Sequence, residues 1–320
     1  MEQSSIQKIF DSIPLTKRET GTLLVLLIVG AGMTIANSRF ILPNNLINIA
    51  RQASFYSIIA VGETFVIVSG GIDLSVGGVL SLAGITAALL VTNGLTGFIP
   101  IIVGILAGSF TGFLNGWVIT RFKIMPFIVT LGTLNIAKGV VLVSTQGYPI
   151  PIYKGPIVYL GQNSIGPLPV PVLFMVGATV LGIILINNTP FGNSVRGIGS
   201  SEFSARATGI DIKKIKLMIY TFAGTLAGLA GILLAGRLSA GQPNAGIGWE
   251  LDVIAAVIIG GTSLKGGEGS VLGTFIGAIL LAVIRNGLVI SGVSMYWQTI
   301  VVGLILIGGI AANRLFSKSI

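Results

Sequence analysis

Between Leu74 and Thr120 the chain carries no charged residue, and between Gly155 and Val195 it again carries none. A helix crosses the hydrocarbon core of a bilayer in about 20 apolar residues, so each stretch has room for two crossings. The remainder follows the same rule, because the 320 residues are 52% hydrophobic and only 9% charged. Their mean hydropathy is +0.95. Only helices and closed barrels satisfy every backbone group in lipid, and runs of this length read as helices. The chain is therefore expected to be an all-α integral membrane protein in one domain.

Apolar runs set against turn signals predict about ten transmembrane helices, near 21–37, 54–69, 75–93, 98–119, 125–146, 170–187, 217–236, 251–264, 270–290 and 295–313. With the N-terminus inside, the inner segments hold Lys8, Lys17, Arg18, Arg121, Lys123, Arg196, Arg206, Lys213, Lys214, Lys216, Lys265, Arg314 and Lys318. The outer segments hold only Arg39, Arg51, Lys154 and Arg237. That bias predicts that both termini are cytoplasmic, and it accounts for most of the net charge of +9 without any nucleic-acid partner. The domain is expected to run from 21 to 313, with a cytoplasmic segment at 1–20 and a tail at 314–320. Ile6, Ile9, Phe10 and Ile13 share helical spacing and predict a short amphipathic helix on the membrane surface, a disordered tail being the alternative.

Cysteine and histidine are both absent. Thiolate nucleophiles, disulfides, imidazole bases and the usual zinc ligands go with them, which argues against an enzyme and against a bound metal. Glycine is frequent, at 46 residues, and Gly104, Gly108, Gly112 and Gly116 fall on one helix face. Gly224 with Gly228 and Gly273 with Gly277 repeat the small-xxx-small pattern that lets helices approach closely in lipid. Two segments are alike, VIVSGGIDLSVGG at 66–78 and VIIGGTSLKGG at 257–267, each with paired glycines where a span ends. Such a pair permits a broken helix or a re-entrant turn.

Ionisable groups inside spans need a cavity, a partner or an interface, which singles out Glu63, Asp73, Lys138 and Arg285. Asp73 is placed to cap the next helix through Ser75, and Glu63 is expected to pair with Lys138 or Arg285. Asn115, Asn135, Asn286 and Gln298, with Tyr296 and Trp297, supply neutral hydrogen-bonding groups and aromatic faces of the kind a sugar route needs. Interhelical bonding and interfacial anchoring are the alternatives for each.

The longest inner loop, 188–216, holds a short exposed helix by its signals. Ser200 or Ser201 caps it, Glu202 suits its first turn, and Gly209 stops it after about two turns, with Phe203, Ala207 and Ile210 on one face. Such a helix suits docking into a groove of another protein. GGTSLKGGEG at 260–269 lacks the Gly-Lys-Ser/Thr ending of a phosphate-binding loop, so ATP hydrolysis is not expected on this chain.

Four segments, SGGIDLSVGG at 69–78, GSSEFSARATGI at 199–210, QPNAGIGWELDVIAAVIIGGTSLKGGEGS at 242–270 and NGLVISGVSMYWQ at 286–298, resemble the permease subunits of the ribose, xylose and related monosaccharide ABC importers. The likeness covers almost the whole chain. It implies a type II-like permease of the bacterial inner membrane, paired with a second copy or a sister permease. It also implies a cytoplasmic ATPase carrying ATP and magnesium, and a periplasmic or lipid-anchored sugar-binding protein. By matching position, Gly199, Glu202, Ala205, Arg206, Ala207, Gly209 and Ile210 would form the element coupled to the ATPase. The family commonly has Asn at Ser201, Ala at Ser204 and Ser at Thr208, all small-for-small changes. Autoinducer-2 and polyols such as inositol are cargoes of near relatives. From a different class, a proton-coupled carrier built on Glu63 or Asp73 would need no ATPase.

Overall fold

Proline opens six of the helices, with Pro43, Pro100, Pro126, Pro156, Pro171 and Pro190 in first turns. An N–H there has no intrahelical acceptor, so its loss costs nothing and the fixed φ favours entry into the helix. The computed structural model describes residues 17–294 and isolated positions between 296 and 308. The amphipathic helix expected within 1–20, most of the span at 295–313 and the tail at 314–320 therefore lie outside the described residues.

The described helices are α1 (Lys17–Ala36), α2 (Pro43–Val68), α3 (Val76–Thr92), α4 (Ile99–Phe122), α5 (Pro126–Thr145), α6 (Pro156–Gln162), α7 (Val170–Asn188), α8 (Pro190–Ser200), α9 (Glu202–Ala207), α10 (Ile212–Leu238), α11 (Trp249–Ile259) and α12 (Val271–Ile290). A 3-10 turn, Ser38–Ile41, joins α1 to α2. Four two-residue strands occur. β1 (Ile150–Pro151) pairs antiparallel with β4 (Ala240–Gly241), and β2 (Ser164–Ile165) with β3 (Leu168–Pro169).

Six helices, α1, α4, α5, α7, α10 and α12, are long and apolar enough to cross a membrane. Each of the first nine expected spans contains a helix, but three differ in character. α2 starts eleven residues earlier than expected, at Pro43, and its first half carries Asn44, Asn45, Arg51 and Gln52. α3 has 17 residues. α11 has 11 rather than the fourteen expected for 251–264, and at 1.5 Å per residue it reaches about 16 Å, half a bilayer core. It is a broken helix, flanked by irregular backbone at 242–248 and 260–270.

α2 is the axis of the molecule, buried from Ala53 to Val68 and packed against α7, α10, α11 and α12. The glycine stripe finds its partner as its spacing predicts: a Cβ on Gly108 would lie 2.8 Å from the Gly228 Cα, and one on Gly112 would meet the Tyr220 carbonyl. α4 and α10 therefore touch backbone to backbone, where many dispersion contacts replace a hydrophobic drive that lipid does not supply. Gly273 and Gly277 seat α12 against Gly260 and Ala256 in the same way.

Candidate functional site

Three arrangements carry the polar groups. The first is the exposed helix α9. Ser201 is its N-cap, its hydroxyl accepting from the Ser204 N–H at 3.2 Å, and Gly209 ends the segment at φ +85°. Glu202 pairs with Lys216 on α10. Phe203 is 86% exposed, and Arg206 and Ala207 are exposed beside it. Two expectations need correction. Ile210 does not join the face of Phe203 and Ala207 but turns inward with Ala205 against Ile198 and Ile212, because the left-handed turn at Gly209 redirects the chain. The loop also holds a second helix, α8, started by the Thr189 cap and Pro190, a signal visible in the sequence and missed there.

Gly199, expected in the docking element, is instead the joint beneath it. A Cβ there would strike the Val68 carbonyl at the end of α2 and the Gly267 amide. Gly267 N–H itself donates to the Val68 carbonyl at 2.8 Å. A Cβ on Gly266 would lie 2.8 Å from the Gly199 carbonyl and 3.0 Å from the Gly70 nitrogen. The end of α8, the turn after α2 and the turn after α11 thus meet at Gly70, Gly199, Gly266 and Gly267, beside the Val68 carbonyl and Ser200.

The second arrangement is a buried chain of hydrogen bonds. Thr133 O–H donates to the Asn115 carbonyl oxygen at 2.6 Å, the Asn115 amide donates to the Ser75 hydroxyl at 2.9 Å, and that hydroxyl donates to Asp73 Oδ1 at 2.5 Å. The same Oδ1 accepts from the Ser75 N–H at 2.8 Å, so the expected contact with Ser75 forms as a turn before α3, whose N-cap is Ser75 without a side-chain cap bond. Asp73 N–H then donates to Glu63 Oε1 at 3.1 Å. α5, α4, the start of α3 and α2 are tied together through two carboxylates, Asp73 and Glu63. Glu63 Oε2 and the Tyr220 hydroxyl are buried without a hydrogen-bond partner. The expected pairing of Glu63 with Lys138 or Arg285 does not occur. A backbone N–H reaches the carboxylate first.

Arg285 belongs to the third arrangement. Its Nη2 donates to both carboxylate oxygens of Asp252, at 2.7 and 2.6 Å, which ties α12 to α11. Tyr56 lies near the same carboxylate, and its ring centroid is 4.4 Å from that of Trp249. Sequence reasoning missed Asp252. The rule that singled out Glu63, an acid within an apolar helix, also applies to Asp252 in the run WELDVIAAVII.

Of the remaining candidates, Asn286 exchanges an amide hydrogen bond with Asn45 at 2.9 Å, joining α12 to α2. Asn135 is exposed on α5 and donates to its own helix at Leu131, at 3.0 Å. Lys138 is half-buried on the same helix, with no ion-pair partner among the described residues. Gln298 is buried and donates to the Val293 carbonyl at 2.9 Å. The structure thus gathers Asp73, Glu63 and Asn115 into one cluster and leaves the other route candidates apart. Among the described residues no cluster of acidic, histidine or cysteine side chains is placed to hold a metal.

A family model described as "branched-chain amino acid transport system / permease component" matches residues 45–309. The chain is 40% identical to the ribose import permease protein RbsC of Bacillus subtilis strain 168, over 93% of each chain. It is 38% identical to that of Haemophilus influenzae, over 94% of this chain and 95% of the other. It is also 36% identical to the D-allose transport system permease protein AlsC of Escherichia coli K12, over 93% and 92%. These matches run through the capped helix, the glycine joint and the buried chain alike, so the chain belongs to the branched-chain amino acid transport system / permease component family, as a multi-pass membrane permease whose relatives here import sugars.

Proposed function

We propose that the chain is the membrane-spanning subunit of an ATP-driven importer of a monosaccharide, ribose or another aldose, in the bacterial inner membrane. The carrying observation is the near full-length similarity to ribose and allose permeases of a chain that presents a capped, exposed helix on one end. In this reading the helix α9 docks in a groove of a cytoplasmic ATPase, which holds ATP and magnesium, with Glu202, Phe203, Arg206 and Ala207 at the contact. Gly199 and Ala205 lie behind it, and Gly209 and Ile210 fix its exit. Closure of the ATPase pushes α9, and the glycine joint passes the push to the ends of α2 and α11 together. Packed glycines transmit displacement because no side chain lies between the backbones to absorb it.

The full permease has ten spans with both termini cytoplasmic, and a second copy or a sister permease completes it. Sugar arrives from a separate binding protein on the opposite side. We assign the route to a surface closed by that second subunit, with Asn135 and Lys138 of α5 on it. Asp73, Asn115, Arg285 and Asn286 hold helices together instead, since each makes a side-chain hydrogen bond within the chain.

The test is gentle purification of the chain from its native membranes, followed by assay of ATP hydrolysis with the cognate binding protein across a panel of aldoses. A co-purifying ATPase stimulated by one aldose supports the proposal. Stimulation only by a polyol or autoinducer-2 keeps the machinery and changes the cargo. The chain alone, in several mild detergents, overturns the proposal.

A further inference from the structure

Four basic residues fall at the end of the bundle away from α9, against the charge bias of the rest, and two of them meet. Arg51 of α2 lies close enough to Arg237, in the last turn of α10, for the two charges to repel. Among the described residues neither has a carboxylate partner. One residue, Gln162, joins the Arg51 side chain to the Arg237 backbone. Arg51 Nη2 donates to the Gln162 carbonyl at 3.1 Å and to the Ser164 hydroxyl at 3.3 Å, while the Gln162 side-chain amide donates to the Arg237 carbonyl at 3.2 Å and the Ser239 hydroxyl at 2.8 Å. Arg51 Nε is buried and has no hydrogen-bond acceptor. One guanidinium held by oxygen acceptors with a donor unused, next to a second arginine that has no carboxylate partner among the described residues, makes an anion site.

Beside it runs an apolar groove. The residues flanking Gln162 and Ser164, Leu160 and Ile165, form one wall of a cavity of about 500 Å³, completed by Leu173 and Gly177 of α7 and by Leu226 and Leu229 of α10. The volume lies within the ~300–1,000 Å³ of ligand-sized cavities. α7 is long and apolar enough to cross a membrane, and the groove along it is at the depth of the lipid tails. A lipid with an anionic head brings the missing charge and an apolar tail together.

We propose that Arg51, Arg237 and the groove between α6, α7 and α10 form a binding site for one anionic glycerophospholipid, its phosphate between the two guanidinium groups and an acyl chain against Gly177. The site is independent of the cargo and of the ATPase. It locks α2, α6 and α10 at the end opposite the coupling helix.

The experiment uses the purified full chain in detergent, with native mass spectrometry for retained lipid and thermal unfolding with added phosphatidylglycerol, phosphatidylcholine or inorganic phosphate. Phosphatidylglycerol is expected to be retained and to raise Tm, and the other two are not. The double variant Arg51→Gln/Arg237→Gln should lose retention by roughly tenfold or more, the scale of one or two charge-assisted contacts. Gly177→Leu guards against misfolding, because a Cβ there meets only open space. It should fill the groove, abolish retention and leave the lipid-free Tm unchanged. Equal stabilisation by phosphatidylcholine or by inorganic phosphate overturns the proposal, as does undiminished retention in both variants. A change of oligomeric state rather than of retained lipid in Gly177→Leu assigns the groove to a second copy and overturns it too.

Discussion

The turn after α2 and the turn after α11 are built on one backbone device and serve two surroundings. In the first, Gly70 N–H donates to the Ile67 carbonyl and Gly71 N–H to the Val66 carbonyl, each at 2.9 Å. In the second, Gly261 N–H donates to the Ile258 carbonyl at 2.9 Å and Thr262 N–H to the Val257 carbonyl at 3.2 Å. Gly70 and Gly261 both take left-handed conformations, φ +80° and +92°, where glycine avoids the clash of a Cβ with the carbonyl oxygen. α2 carries one buried acid, Glu63, and α11 two, Glu250 and Asp252; the outgoing segments reach Glu63 and Asp252. Glu63 receives only a backbone N–H, from Asp73, whereas Asp252 receives the guanidinium of Arg285. The first turn then enters the buried hydrogen-bond chain, and the second goes out to the surface at Leu264 and Lys265 before it returns to α12. Shared geometry at the glycines thus leaves the role of each turn to its flanking side chains.

If that difference is real, the largest effect belongs to the ion pair of the second half. Arg285→Leu leaves the Asp252 carboxylate buried with Tyr56 alone, and removing one partner of a buried pair costs roughly 3–5 kcal/mol. Thermal unfolding in detergent should show that loss, with recovery of most of it in Asp252→Leu/Arg285→Leu. A loss under about 1 kcal/mol in the single variant would mean that the pair is screened and that the two halves are alike.

Next in size is Asp73→Ala, which strips the acceptor from the Ser75 N–H and hydroxyl and leaves the Asn115–Thr133 chain without its end. Two hydrogen bonds to a buried acceptor predict a loss of roughly 2–4 kcal/mol. Asp73→Asn, which keeps an acceptor oxygen, should lose less than half of that. Equal losses in the two variants would show that the carboxylate's charge, rather than its geometry, holds α3 to α2.

The glycine joint offers a smaller effect on stability and a larger one on transport. Gly266 sits at φ +82°, and Gly266→Ala adds a methyl within 2.8 Å of the Gly199 carbonyl. Left-handed strain alone costs roughly 1–2 kcal/mol. Because α8 and both turns meet there, sugar uptake by the assembled importer is expected to fall several-fold while the ATPase still co-purifies. Uptake at the level of the parent would disconnect the second turn from the coupling helix.

How much of this was legible depends on sequence distance. The Asp73–Ser75 contact and the Ser201 cap span two and three residues, and local spacing gave both. The glycine stripe of α4 was legible as a face, but its partner Gly224 was not, since no periodicity names which helix lies opposite. Arg285 met Asp252, 33 residues away, rather than Glu63, because pairing is decided by which helices are neighbours. The early start of α2 was hidden by polarity: Arg51 looks like the boundary of a span until the Gln162 carbonyl and the Ser164 hydroxyl satisfy it. The exposed helix expected in this loop is present at Glu202–Ala207, while Gly199 and Ile210 turn away from its outer face because a shared motif does not say which of its residues face out.

The smallest effect is expected at Glu63, and it separates two classes of transporter. Glu63 Oε1 accepts from the Asp73 N–H, and Glu63→Gln keeps an oxygen in that place. The buried Oε2, which has no partner, becomes an amide beside the unpaired Tyr220 hydroxyl, a possible acceptor for it. Stability should move by less than about 1 kcal/mol in either direction. In an ATP-driven permease the group has only a structural task, so uptake should stay within about twofold of the parent and ignore a collapsed proton gradient. A proton-coupled carrier must take up and release a proton at such a carboxyl, and an amide cannot do so. Loss of uptake in Glu63→Gln with folding and ATPase docking intact would therefore turn the unpaired oxygen of the first turn from a structural remnant into the coupling site, and the contrast between the two turns would become one between a proton site and a hinge.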